Sequence, residues 1–261
     1  MTSRLRPERV TAKRFAATVS YDGTDMVGSQ RQPNGRTVQQ ELETAAKALF
    51  GVPTRVELAG RTDSGVHAIG QVAAMTAETR LEANTVGRAL NAHLPDDVAV
   101  RDVRETAEGF DPRRWARRRW YRYTINNGEA RDPLTRRSAW LVEGNLDLSA
   151  MQRAASALAG RQDFIACSGQ LENGRTSVRT VFTAGWTSEG RTLLFDIEAD
   201  AFLPQMVRRL VGALVRIGRG SQEVEEFVRL LRQAEPGAIG PTAPALGLCL
   251  QRVWYDEGYL L

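Results

Sequence analysis

In the stretch Val56-Glu57-Leu58-Ala59-Gly60-Arg61-Thr62-Asp63-Ser64-Gly65-Val66-His67-Ala68-Ile69-Gly70-Gln71-Val72-Ala73-Ala74-Met75, two short apolar runs flank a segment punctuated by glycine. Apolar runs bounded in this way predict strands over 56–58 and 71–75. Asp63 then lies on the loop between two strands, where the glycines on either side permit a close backbone approach.

Working outward, Phe15, Ala17, Val19 and Tyr21 alternate with smaller or polar residues, the period of a half-buried strand. Asp22-Gly23-Thr24 and Pro33-Asn34-Gly35 read as turns, and Thr37-Val38-Gln39-Gln40 has capping-box spacing for a helix with Val38, Leu42, Ala45, Ala46 and Leu49 as its apolar stripe. On the other side, Asn84 is expected to cap a helix that runs to Leu94 and stops at Pro95, and a strand follows over Val98–Val103. Tyr121, Tyr123 and Ile125 alternate with Trp120, Arg122 and Thr124 along a further strand. A helix over Leu148–Leu158 is expected to stop at Gly160, and strands over Val178–Trp186 and Thr192–Ala199 pair around Ser188-Glu189-Gly190. Pro204 suits the first turn of a helix whose buried face is Met206, Val207, Leu210, Val211, Leu214 and Val215, with Arg208 at its rim. A surface helix over Glu223–Gln233 and a closing strand over Leu246–Tyr255 complete an α/β (α+β) chain with mixed sheets in two halves. The expected division is a flexible basic tail over 1–13, an N-terminal α/β domain over 14–112 carrying the Asp63 loop, and a C-terminal α/β domain over 113–261 completing the cleft.

With 261 residues, 42% hydrophobic and 25% charged, the chain has the balance of a soluble globular protein. It has no apolar run of about 20 residues, so no membrane span is expected. Residues 1–13 lack the apolar core of a signal peptide, which makes the cytoplasm the expected compartment. Cys167, Cys249, His67 and His93 show none of the paired spacing of a zinc site, so no metal and no structural disulfide are expected. The net charge is only +4, but Arg113, Arg114, Arg117, Arg118, Arg119 and Arg122 crowd one stretch with Trp115, Trp120, Tyr121 and Tyr123. Guanidinium groups contact phosphates and aromatic rings stack on bases, so this stretch points to nucleic acid; a solvated strand face with packed aromatics is the alternative.

From the residues alone, Asp63 is open between an Asx turn and a catalytic carboxylate, and His67 between a structural hydrogen bond and a general base. Arg208 is open between the helix surface and an inward salt bridge to a carboxylate, and Tyr121 between core packing and a site role. None of these patterns specifies a reaction.

Six blocks in order narrow the choice: Tyr21-Asp22-Gly23-Thr24; Thr37-Val38-Gln39; Gly60-Arg61-Thr62-Asp63 with Gly65-Val66-His67-Ala68; Tyr121-Arg122-Tyr123; Phe202-Leu203 with Met206-Val207-Arg208; and Ala243-Pro244 with Gly247-Leu248. Together they closely resemble the TruA family of tRNA pseudouridine synthases, from about Phe15 to Tyr255. The resemblance implies the pseudouridine synthase fold, two halves each with a mixed, mainly antiparallel sheet flanked by helices, and an active-site cleft between them. It implies isomerisation of uridine to pseudouridine at positions 38, 39 and 40 of the tRNA anticodon stem-loop, without a cofactor, by a homodimer. By the same resemblance Asp63 is the nucleophile or acts through a glycal route, and Arg208 is the guanidinium beside it. Tyr121 stacks on the target base and serves as a proton shuttle, Leu248 packs beside that base, and Arg61 takes its place in the stack after flipping.

The family's Phe-x-Gly-Trp-Gln segment is here Met26-Val27-Gly28-Ser29-Gln30, its Phe-His-Ala-Arg segment is Phe110-Asp111-Pro112-Arg113, and Phe164-Ile165-Ala166-Cys167-Ser168 also departs from the pattern. These changes bear on the grip on tRNA and on substrate range. Two rivals remain at this level: a non-catalytic tRNA-binding relative, and a hydrolase using Asp63 with His67.

Overall fold

The computed structural model describes residues 11–169, 171, 176–233 and 235–256. Strands β1 (Ala12–Tyr21), β2 (Val56–Leu58), β3 (His67–Glu78) and β4 (Val98–Thr106) alternate with helices α1 (Val38–Phe50) and α2 (Ala83–His93). The later part of the chain supplies β5 (Arg118–Asn126), β6 (Trp140–Leu141), α3 (Leu148–Ser156), β7 (Gly160–Asp163), β8 (Val178–Glu189), β9 (Thr192–Ala199), α4 (Met206–Gly218), α5 (Val224–Leu231) and β10 (Leu248–Trp254).

The strands of the two halves join in one sheet of order β4-β1-β3-β10-β5-β9-β8-β7, with β2 added on β3 and β6 on β5. Pairing is antiparallel except where β10 runs parallel to β3 and β6 parallel to β5. The parallel β3–β10 contact is short, Cys249 opposite His67 and Leu250 opposite Ala68, yet it is the seam at which the two sets of strands meet. Helices α1 and α2 cover the β1–β4 side, and α3, packed on α4 and α5, covers β8. On β5 the alternation is as expected: Tyr121, Tyr123 and Ile125 are buried under the helices' core, while Trp120, Arg122 and Thr124 are half-buried on the other face.

Thr37 caps α1 as the sequence predicts, its Oγ1 accepting the Gln40 N–H at 3.3 Å, and Val38, Leu42, Ala45 and Ala46 form the buried stripe. Several boundaries shift. Strand β3 begins at His67 rather than Gln71, because Ala68 pairs with Tyr21 and His67 with Cys249, partners far away in sequence. Helix α2 starts two residues earlier than Asn84 as cap would give: Glu82 holds the cap position, its carbonyl accepting from Thr85 and Val86. Helix α3 ends at Ser156 with Ala157 as its cap, short of the expected Leu158, and Gly160 opens β7. Pro204 stands before α4, whose cap residue Gln205 adopts a left-handed backbone, φ 61°. Helix α5 is more than a surface helix, since Phe227 and Leu231 are buried. A 3-10 turn over Ala245–Gly247 takes the start of the expected closing strand. β1 begins at Ala12, so the end of the expected 1–13 tail is strand; residues 1–10 lie outside the described residues. Among the described residues no helix is long and apolar enough to cross a membrane.

Candidate active site

The Asp63 loop is held by four residues from β1, the β1–α1 loop and β3. Ser29 is fully buried; its Oγ accepts the Thr62 N–H at 2.8 Å and its own N–H donates to Thr62 O at 3.1 Å. Tyr21 Oη and Thr62 Oγ1 share a hydrogen bond of 2.8 Å, and buried Gln71 donates to Gly60 O at 3.0 Å. Ser64 Oγ donates to Met26 O at 3.0 Å, and Gly65, φ 78°, takes the left-handed turn that brings the chain back to β3. The loop is thus bonded through its backbone at Gly60, Thr62 and Gly65, whose N–H donates to Met26 O, and through the Ser64 hydroxyl, leaving the Asp63 side chain at the edge of a cleft.

That cleft, about 680 Å³, is lined by the 59–63 segment, Tyr121, the 201–208 segment and Leu248. Arg208 Nη1 donates to Asp63 Oδ2 at 3.1 Å, while its Nε is tied to Ala243 O at 2.8 Å, so the guanidinium is oriented by two chain segments. The ion pair is half open: 35% of the Asp63 side chain remains exposed against 17% for Arg208. A carboxylate held by one oxygen on a guanidinium keeps its other oxygen for a ligand in the cleft. The Tyr121 ring meets Phe202 edge-on, centroids 5.1 Å apart. Burial pushes the Tyr121 phenol well above its ordinary range, with the nearby Tyr21 and Asp63 adding to the shift and Arg119 opposing it. Tyr121 therefore stays a neutral phenol at neutral pH.

The cleft brings together Asp63, Tyr121, Arg208, Arg61 and Leu248. Leu248 is buried, 6% exposed, and Arg61 is exposed at the mouth, where among the described residues no carboxylate pairs with it. His67 is not part of this group. Its Nδ1 accepts the Gly23 N–H at 3.1 Å, and its Nε2 lies 2.7 Å from Arg137 O and 3.1 Å from Leu246 O. The two carbonyls call for a proton on Nε2, and Nδ1 also lies 3.1 Å from Asp22 Oδ1, so both ring nitrogens are engaged away from Asp63. A hydrolytic base at His67 has no free nitrogen to work with, which removes the Asp63–His67 reading.

Sequence reasoning missed three contributors. Arg119 and Phe202 share the cleft with Tyr121, and for Arg119 the signal was its place two residues before Tyr121 on an alternating strand. Ser29 stood out in the sequence only as an absent tryptophan, whereas in the fold it braces the residue next to Asp63. Arg61, Arg113, Arg119, Arg179 and Arg208 all line the cleft against Asp63, the one carboxylate among its lining residues that are described. A second groove lined by Arg55, Arg61, Arg113 and Arg114 adjoins it.

Five arginines around a single described carboxylate give this cleft the charge that suits a polyanionic ligand. The chain matches the family described as tRNA pseudouridine synthase over residues 17–113 and 154–256. It is 42% identical over 248 residues to a tRNA pseudouridine synthase A of Myxococcus xanthus, covering 94% of this chain and 93% of the relative. It is 40% identical over 237 residues to one of Geotalea uraniireducens, covering 91% and 97%. It is also 42% identical over 253 residues to one of Chloroflexus aurantiacus, covering 94% and 90%. The chain belongs to the tRNA pseudouridine synthase family.

Proposed function

We propose that this protein isomerises uridine to pseudouridine at positions 38, 39 and 40 of the tRNA anticodon stem-loop, with Asp63 acting on the flipped nucleotide. The observation that carries the proposal is the Asp63–Arg208 pair at 3.1 Å, in the arginine-lined cleft that Tyr121 also lines. Arg208 holds one carboxylate oxygen and so aims the other at the ribose or base. Tyr121 stacks on the target base and, as a neutral phenol, can pass a proton. Leu248 and Phe202 keep water from the detached uracil, which must stay bound while it turns and re-forms its bond through carbon 5. Flipping the nucleotide out of its stack costs a few kcal/mol, on the order that phosphate contacts and Arg61 in the vacated space can offset. No cofactor is needed, since the reaction is redox-neutral and moves no group between molecules.

In this reading the halves 14–112 and 113–261 form the two walls of the cleft, the protein works in the cytoplasm, and a homodimer grips one tRNA through both subunits. The second reading, a tRNA-binding relative without turnover, keeps the basic cleft but gives Asp63 no task. Incubating the protein with unmodified tRNA and mapping pseudouridine separates them. Product is expected from the parent and none from Asp63→Asn, with tRNA binding kept in the variant. Product from Asp63→Asn would remove Asp63 as the catalyst, and an inactive parent that still binds tRNA would favour the second reading.

A further inference from the structure

Arg119 lies two residues before Tyr121 on β5, so strand alternation puts both side chains on the face that lines the cleft. Its guanidinium donates to three backbone carbonyls: Nη1 to Asp200 O at 2.6 Å, and Nη2 to Ala59 O and Arg113 O at 3.1 Å each. Those carbonyls belong to three separate segments. Ala59 follows β2 and leads directly into the Asp63 loop; Asp200 follows β9 and opens the connection into α4, which carries Arg208; Arg113 lies in the arginine-aromatic segment ahead of β5. The Asp200 carboxylate is itself turned to the backbone N–H groups of Thr180 and Ala201, at 3.0 and 2.7 Å, and offers Arg119 only its carbonyl. Among the described residues no carboxylate forms an ion pair with Arg119.

A cation in such a place is costly. Burial lowers the affinity of the Arg119 guanidinium for its proton, and nearby Tyr121 and Tyr255 only partly oppose this. An apolar side chain would fill the space at less desolvation cost. What it could not do is hold three carbonyls in fixed directions, which the planar fork of a guanidinium does and the single ammonium of lysine does not.

We propose that Arg119 is a positioning residue: one fork fixes, relative to Tyr121, the segments that carry Asp63 and Arg208. The proposal rests on the isomerisation proposed above. Misplacing a reacting group by about 1 Å costs on the order of a hundredfold in rate, so loss of the fork acts on turnover rather than on tRNA binding.

The test compares the parent, Arg119→Met and Arg119→Lys on unmodified tRNA, reading kcat, KM, tRNA affinity against salt, and thermal unfolding. In Arg119→Met, kcat is expected to fall about a hundredfold, while KM and the salt dependence of binding stay near the parent's. Arg119→Lys, which restores the charge without the fork, is expected to recover only part of kcat. Parental kcat in a folded Arg119→Met protein would overturn the proposal. So would a loss confined to affinity with a shallower salt dependence, which would make Arg119 a phosphate contact. Should Arg119→Met not fold, the lysine variant decides: full kcat there would show that charge, not the fork, is what matters. An inactive parent in the same assay would remove the isomerisation itself and is distinguishable from every outcome above.

Discussion

At the scale of single residues, Ser29 shows how a departure from a family pattern acquires a physical meaning. In the sequence it was a missing aromatic ring beside a cleft; in the fold it is a buried hydroxyl that accepts the N–H of Thr62, the residue before Asp63. Leaving that buried N–H without a partner costs on the order of 1–3 kcal/mol. Ser29→Ala is therefore expected to lower the free energy of unfolding by that amount, seen as a lower urea midpoint, and to reduce kcat, because the loop that aims Asp63 loses its brace. An unchanged midpoint would show that Thr62 finds another acceptor. From the residues alone Arg208 was open between the helix surface and a salt bridge to a carboxylate; the family resemblance implied Asp63 as its partner, and the pair measures 3.1 Å. Least legible was Arg119, one of six crowded arginines, because the carbonyls it binds at Ala59, Arg113 and Asp200 are gathered only by folding.

Elements with strong local patterns fell where the sequence predicted them. Helix α1 has its cap and stripe, β5 its alternation, and the β8–β9 hairpin its turn at Gly190, φ 62°. The misplaced boundaries, such as the start of β3, depend on pairing partners distant along the chain. Within β3, Gly70 leaves no room for a side chain where β10 passes. A Cβ there would stand 2.0 Å from Gln251 O, a backbone atom with little freedom to move, at the seam between β3 and β10. Gly70→Ala is thus expected to push the strands apart, costing on the order of 1–3 kcal/mol and lowering activity through displacement of Leu248 at the head of β10. Thermal unfolding and kcat measured together check this, and a variant as stable and active as the parent would mean that the seam is compliant.

For the whole molecule, the buried phenols make stability depend on alkaline pH. Burial raises Tyr121, Tyr123 and Tyr255, and pushes Tyr21 up to about 12 from an ordinary value of 10.0. Cys249 is likewise pushed up to about 11 from 9.0. In each case the folded state keeps a proton that the unfolded chain releases first, so the stabilising contribution is complete below the ordinary values and is lost as pH rises through the folded ones. The urea midpoint is expected to hold steady to about pH 9 and then fall progressively towards pH 12, with the steepest loss above pH 10. A midpoint flat to pH 12 would contradict burial of these groups.

The α/β class, the loop position of Asp63, the amphipathic helices and the family were legible before any fold was known, because short-range periodicity, glycine punctuation and ordered motifs are properties of neighbouring residues. Folding alone reveals that the two sets of strands share one sheet, that His67 is held by backbone and Asp22 rather than by Asp63, and that Ser29 and Arg119 support the cleft. Each of those depends on a donor meeting an acceptor from a remote part of the chain, and buried donors go where the packed fold leaves an acceptor, which no local pattern records.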